Sequence, residues 1–194
     1  DNIDESVVDR IEVSKGPNAI LSPAGAPGGS LNIITKSPTF RRQRSFTAQV
    51  GLFDAQKAML DVGGPIANSD KFAYRMILSG QDSKRYWSDD SYLRGRAFAP
   101  MLAWRISDKT LLTVKLVAAE HWIPREPLLI IDPNVTAATD DPYLAPGILP
   151  DSNNGVQPWA HVETHSADLF SVLTTSVNEH IDLRVAANGR YYFE

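Results

Sequence analysis

From residue 45 to residue 193 the chain repeatedly sets apolar side chains at every second position, the mark of strands whose two faces meet different surroundings. Phe46, Ala48, Val50 and Leu52 alternate with Ser45, Thr47, Gln49 and Gly51. Ala58, Leu60 and Val62 repeat the pattern against Lys57, Met59 and Asp61. Phe72, Tyr74, Met76 and Leu78 repeat it against Arg75 and Ser79, with Ile77 an exception on the polar side. A fourth run, 97–105, is apolar on both sides and contains Pro100, which cannot donate to a ladder. In the fifth, Leu112, Val114, Leu116 and Ala118 oppose Thr113, Lys115 and Val117; the sixth, 167–177, is mixed. In the seventh, Leu183, Val185 and Ala187 oppose Asp182, Arg184, Asn188 and Arg190.

Each run is about ten residues long, and at about 3.3 Å per residue and a tilt near 40° it rises about 25 Å, the height of the apolar band on a membrane barrel. The connections support the same reading. Those at 64–70, 107–109 and 178–180 are short and rich in turn formers, whereas 82–91 and 122–163 are long. Short and long alternate, as they do when every second connection of an antiparallel barrel lies on the same side. The 122–163 stretch holds seven prolines, and a segment of that length suits an outer loop better than a compact soluble domain. The connection at 54–56 is short where a long one is expected. Apolar runs reach only about four residues against the roughly 20 of a membrane helix, so a chain of this kind that crosses a membrane must do so with strands, as a barrel. Phe72 and Tyr74 at one end of the third run, and Tyr191, Tyr192 and Phe193 at the end of the seventh, sit where aromatic girdles form on a membrane barrel, and would equally serve as core residues of a sandwich. Composition acts mainly by exclusion. With 43% hydrophobic and 22% charged residues the chain is not a disordered one. A net charge of −4, with no long basic run, argues against nucleic acid as a partner. The absence of cysteine removes disulfide frameworks and thiolate metal sites.

Ahead of the alternating part lies a different kind of segment, 8–36, with two short strand-like pieces around a loop rich in glycine and proline. The ordered residues Asp9-Arg10-Ile11-Glu12-Val13, Lys15-Gly16-Pro17, Ala19-Ile20-Leu21, Gly28-Gly29 and Leu31-Asn32-Ile33-Ile34-Thr35-Lys36 resemble the end of the plug domain of TonB-dependent outer-membrane receptors, of the ferric-siderophore type. Family members often carry Tyr-Gly after the leucine, where this chain has Ser22-Pro23.

The resemblance implies a mainly β fold: the C-terminal part of a plug domain (1–37), a linker (38–44) and about seven antiparallel strands of an incomplete transmembrane β-barrel (45–194). Whole members close about 22 strands around the plug. It further implies a receptor in the bacterial outer membrane, in contact with outer-membrane lipid. Such a receptor binds a scarce ligand, a ferric siderophore, and imports it with energy from TonB, which engages a segment upstream of residue 1. Ser22 and Pro23 would stand at the plug apex facing the ligand. Trp87, Trp122 and Trp159 in the outer loops are further ligand candidates, with packing inside the loops as the competing role. Arg10 and Glu12 would join ion pairs between plug and wall. A plug separated from the rest of its wall also predicts open edges and no independent stability in water.

Other chemistry has little support. His161, Glu163 and His165 share one face of a strand and form a weak metal candidate, with solvated side chains as the alternative. There is no nucleophile elbow, P-loop or dinucleotide fingerprint, no catalytic residues are assigned, and no cofactor is expected. The competing fold is a soluble β-sandwich ligand-binding module, whose strands alternate in the same way. A metal-dependent enzyme built on the two histidines and Glu163 is a third possibility.

Overall fold

The computed structural model describes residues 4–15, 29–85, 88–124 and 161–194, with 88–91 described by their backbone alone. A single 3-10 turn, Glu5–Val7, leads into β1 (Val8–Lys15), which pairs antiparallel with β2 (Gly29–Thr35). Asp4 caps the turn by accepting from the Ser6 amide at 2.9 Å. Gly29 adopts φ 134°, and a Cβ there would lie 2.2 Å from the Ser14 carbonyl oxygen, so the close approach of the two strands requires glycine.

Seven further strands form one sheet: β3 (Gln43–Val50), β4 (Gln56–Pro65), β5 (Phe72–Arg85), β6 (Ser88–Ser107), β7 (Thr110–Pro124), β8 (His161–Asn178) and β9 (Ile181–Phe193). Each pairs antiparallel with its neighbour in sequence, leaving β3 and β9 as edges. The period of two becomes two chemically distinct faces. One register row runs Phe46–Leu60–Leu78–Phe98–Ala118–Ala167–Tyr191 across all seven strands and is apolar throughout. Three rows further on, Phe72–Trp104–Leu112–Leu173–Val185 continues that face, with the Phe72 and Trp104 rings stacked at 5.8 Å beside the short turns. Phe46 is 72% exposed and Leu78, Phe98 and Leu102 are 40–42% exposed. The opposite face carries the buried residues and receives the turn before β1. We call these the outer and inner faces.

A sandwich would cover the outer face with a second sheet, and among the described residues nothing covers it. The sandwich reading is therefore set aside. Two expectations change in detail. The residues expected as a long loop at 82–91 are instead the ends of β5 and β6, which extend as a paired hairpin to Arg85 and from Ser88. Beyond the apolar band residues 81–85 are polar on both faces, so the alternation fades there while the ladder continues. Likewise the expected 122–163 loop is narrowed at both ends, because β7 runs to Pro124 and β8 starts at His161, paired to each other. The short connection after β3 is tied down by the Lys84 amide donating to the Phe53 carbonyl at 2.8 Å and by a Lys84–Asp54 ion pair at 2.7 Å.

The outer face predicts a sharp positional effect. In the full-length protein Leu116→Arg, at mid-height of β7, should cost about 2–4 kcal/mol of folding free energy, measured by reversible denaturant unfolding in lipid vesicles, while Thr113→Arg on the inner face should cost far less.

Candidate functional site

The residues that break the alternation are the ones from which the site is built. Ile77, the apolar exception on β5, is wholly buried against Val7 of the 3-10 turn, which is also wholly buried. Ala99 and Met101 on β6 and Val117 on β7 complete this socket, with Met59 and Phe170 packed against it. The second apolar side of the fourth run thus has a cause: it lies beneath the start of β1.

Polar contacts surround the socket. Asp61 on β4 is 6% exposed and accepts from Arg75 of β5 in a fork, Nε at 2.9 Å and Nη2 at 2.7 Å. The same carboxylate faces Lys36 Nζ at 3.3 Å, and that ammonium also donates to the Ser6 carbonyl at 2.7 Å. Arg75 Nη1 donates to the Ser37 carbonyl at 3.0 Å. On β7, Lys115 Nζ donates to the Thr35 carbonyl at 3.2 Å and to its hydroxyl at 3.1 Å. Ser79 donates to Asp4 at 3.3 Å, and Lys57 pairs with Glu5. The start of β1 and the end of β2 are therefore fastened to four consecutive strands, β4 to β7, chiefly by charge and hydrogen bonds around one valine. A buried carboxylate is tolerable here because two cations and a fork geometry replace its water.

No protein-family model matches the chain. Among curated proteins it is similar to the metal-pseudopaline receptor CntO of Pseudomonas aeruginosa, 30% identical over 191 residues, which is 97% of this chain and 25% of that receptor. It is also similar to the ferripyoverdine receptor of Pseudomonas aeruginosa, 31% identical over 111 residues, 57% of this chain and 14% of the receptor. Among solved structures, the open form of the ferric-catecholate import receptor Fiu from Escherichia coli K12 matches with a TM-score of 0.81 at 18% identity, over 96% of this chain and 29% of that one. The chain belongs to the TonB-dependent outer-membrane receptors. It spans about a quarter of the length of the CntO receptor. The β1–β2 hairpin is the receptor's plug portion, and β3 to β9 are wall strands of its barrel.

In this receptor portion Arg10 and Glu12 lie on β1 and bond to each other, Nε to Oε1 at 2.9 Å, with Asp9 and Asn32 as further partners. The hydrogen bond to Glu12, then that to Asp9, holds the Arg10 guanidinium above its ordinary pKa. Both side chains are about half exposed, and among the described residues neither reaches the wall. The described links run instead through Glu5, Lys36, Asp61, Arg75 and Lys115. These were missed because each reads alone as a solvated strand residue. The available signal was that Asp61, Arg75 and Lys115 share the inner face of nearby strands, next to the anomalous Ile77.

Ser22, Pro23, Trp87 and Trp159 lie outside the described residues. Trp122 sits near the end of β7 on the outer face and stacks on His161, ring centres 3.5 Å apart. His161, Glu163 and His165 do share one face of β8, and His165 Nε2 lies 3.1 Å from Glu163 Oε1. His161 is held by Trp122 instead, and no metal-binding group of three forms among the described residues.

Burial separates the two charge clusters energetically. In the full-length receptor Asp61→Ala, which strands Arg75 and Lys36 together, should lower stability by about 3–5 kcal/mol. Arg10→Ala, breaking an exposed pair, should cost about 0–1 kcal/mol in the same unfolding measurement.

Proposed function

We propose that the receptor containing these residues imports a metal chelate, a ferric siderophore, across the outer membrane with energy supplied through TonB. The observation that carries this reading is the combination of a lipid-facing wall with a plug end held to its inner face mainly by polar contacts. Ion pairs and hydrogen bonds can exchange for water when the plug shifts. The apolar part to be separated is small, since burying one valine stabilises by about 1.5–3 kcal/mol. A plug held in this way is firm at rest and displaceable by a pull of modest work. The chemistry named for two relatives, a metal-pseudopaline receptor and a ferripyoverdine receptor, supports the ligand class.

In this reading the ligand is captured between plug apex and outer loops, with Ser22 and Pro23 at the apex and Trp87, Trp122 and Trp159 at the rim. In the same reading Arg10 and Glu12, exposed on β1, pair with wall strands beyond those described. TonB acts upstream of the described hairpin, and Lys36 with Asp61 and Arg75 anchors the trailing end of the plug. No bond is made or broken, and no residue is assigned a catalytic role.

The test is uptake of 55Fe-labelled siderophores by cells lacking the gene and by cells complemented with the full-length gene. Complementation should restore uptake of at least one ferric siderophore, a TonB-deficient strain should abolish it, and deletion of 125–160 should reduce it severely. Complemented cells that take up no chelate tested above the deletion background, or that do so equally without TonB, would overturn the proposal.

A further inference from the structure

Two opposite charges stand side by side on the outer face without meeting. Arg96 on β6 and Glu120 on β7 are directly opposite in the ladder, one register row beyond the apolar Leu78–Phe98–Ala118–Ala167 row on the side away from the short turns. Arg96 is exposed and Glu120 half-buried, and neither makes a hydrogen bond or ion pair among the described residues. The charged groups around them are engaged: Arg94 pairs with Asp82 at 3.2 Å, and Glu163 with His165 at 3.1 Å. The surface around the pair is low. Gly80 flanks Arg96 on β5, Ala118 and Ala167 lie in the adjoining row, and a Cβ built on Gly80 meets nothing within 4 Å. An open groove of about 570 Å³ runs here, lined by Leu78, Gly80, Phe98, Ala118 and the two charged residues.

We propose that this patch docks a second copy of the receptor, with Arg96 of each copy on Glu120 of the other. Charge complementarity selects that occupant. An anion would satisfy Arg96 and be repelled by Glu120, and a cation the reverse, whereas a surface bearing the same pair satisfies both at once. The membrane supplies the geometry. Two receptors in one bilayer share an orientation, so the two-fold axis of a self-complementary pair runs along the membrane normal and brings equal levels of the two walls together. With that axis passing between β6 and β7, each guanidinium comes against the other copy's carboxylate while apolar band meets apolar band. Both walls tilt their strands the same way, so face to face the strands cross at about twice the tilt near 40°. The contact is therefore centred on the charge pair, with Phe98 beside it. Small side chains let two convex walls approach closely at such a crossing, as they do between membrane helices. At the edge of the hydrocarbon the ion pairs are stronger than in water, because little solvent screens them. The inference rests on the wall facing lipid and is independent of any transported ligand.

The experiment is resonance energy transfer between donor-labelled and acceptor-labelled full-length receptors in phospholipid vesicles, at a series of protein-to-lipid ratios. The label sits at Asp108→Cys, on the short turn after β6, away from the contact. Receptors with the native wall should show transfer above the level of random encounter. Arg96→Glu and Glu120→Arg each set like charges against one another across the axis, and each should lower the association constant about tenfold. Donor-labelled Arg96→Glu mixed with acceptor-labelled Glu120→Arg regains both ion pairs with their signs exchanged, and should return the constant to within about twofold of the native value. A wall merely loosened by either substitution gives no such rescue, and folding of both variants is checked by heat-modifiable gel mobility. Transfer at the random-encounter level for the native wall, with lipid alone covering the face, would overturn the proposal. So would folded single variants that associate as the native wall does, or a mixture that associates no better than either variant alone.

Discussion

Inside hydrocarbon an unpaired peptide group costs several kcal/mol, and a charged side chain on the lipid side costs about 2–4 kcal/mol, so the hydrogen-bonded register of the wall carries the whole design. A slip of one residue in any ladder would turn Asp61 or Lys115 toward lipid and Leu60 or Leu116 toward the plug. The observed register avoids this on seven strands at once, from Phe46 at one edge to Tyr191 at the other. It even absorbs Pro100 in an interior strand. The β6–β7 pairing lapses at Ala99 and Pro100 and resumes in the same register, so a missing donor costs a local bond and leaves the faces unchanged.

Given that register, departures from strict alternation become informative. Ile77, Ala99, Met101 and Val117 are apolar residues on the polar side, and together they mark the footprint of Val7. Around it Asp61, Arg75, Lys36 and Lys115 supply directional contacts whose strength comes from partial burial. The result joins hold and release. An apolar interface of the same extent would bind the plug through area alone, whereas the small socket confines that contribution to one side chain. Lys36 is central, because its ammonium bridges the Ser6 carbonyl and Asp61 while its amide donates to the Val7 carbonyl at 2.8 Å.

Much of this was legible in the sequence, for physical reasons. Alternation exposed the strands wherever one face meets lipid and the other meets polar surroundings, as on β3, β4, β7 and β9. The plug resemblance rested on residues such as Gly29, whose conformation has no substitute. Legibility failed where that contrast disappears. Past the band, Asp82 to Arg85 are polar on both faces and read as loop, although their backbones stay paired. The anchoring charges were invisible for another reason: Lys36 and Asp61 are 25 positions apart, and neither has a local pattern that names its partner. Trp122 and His161 each suggested ligand or metal chemistry, and their stacking depends on the β7–β8 register. Arg10 and Glu12 were correctly placed on one face, yet in the described residues they bond to each other and to Asp9 and Asn32 of the same hairpin.

The central claim is that the faces of β5 to β7 look into lipid on one side and toward the plug on the other. It is tested most directly by scanning single cysteines with a nitroxide label along residues 112–118 and 74–79 of the full-length receptor in lipid vesicles. These residues contain no native cysteine to interfere. Collision with dissolved oxygen should dominate at Leu112, Val114, Leu116, Met76 and Leu78, and should give way to quenching by a water-soluble nickel chelate or to immobilisation at Thr113, Lys115, Ile77 and Ser79. Accessibility that shows no period of two, or that is high in oxygen at the second set and low at the first, would contradict the account.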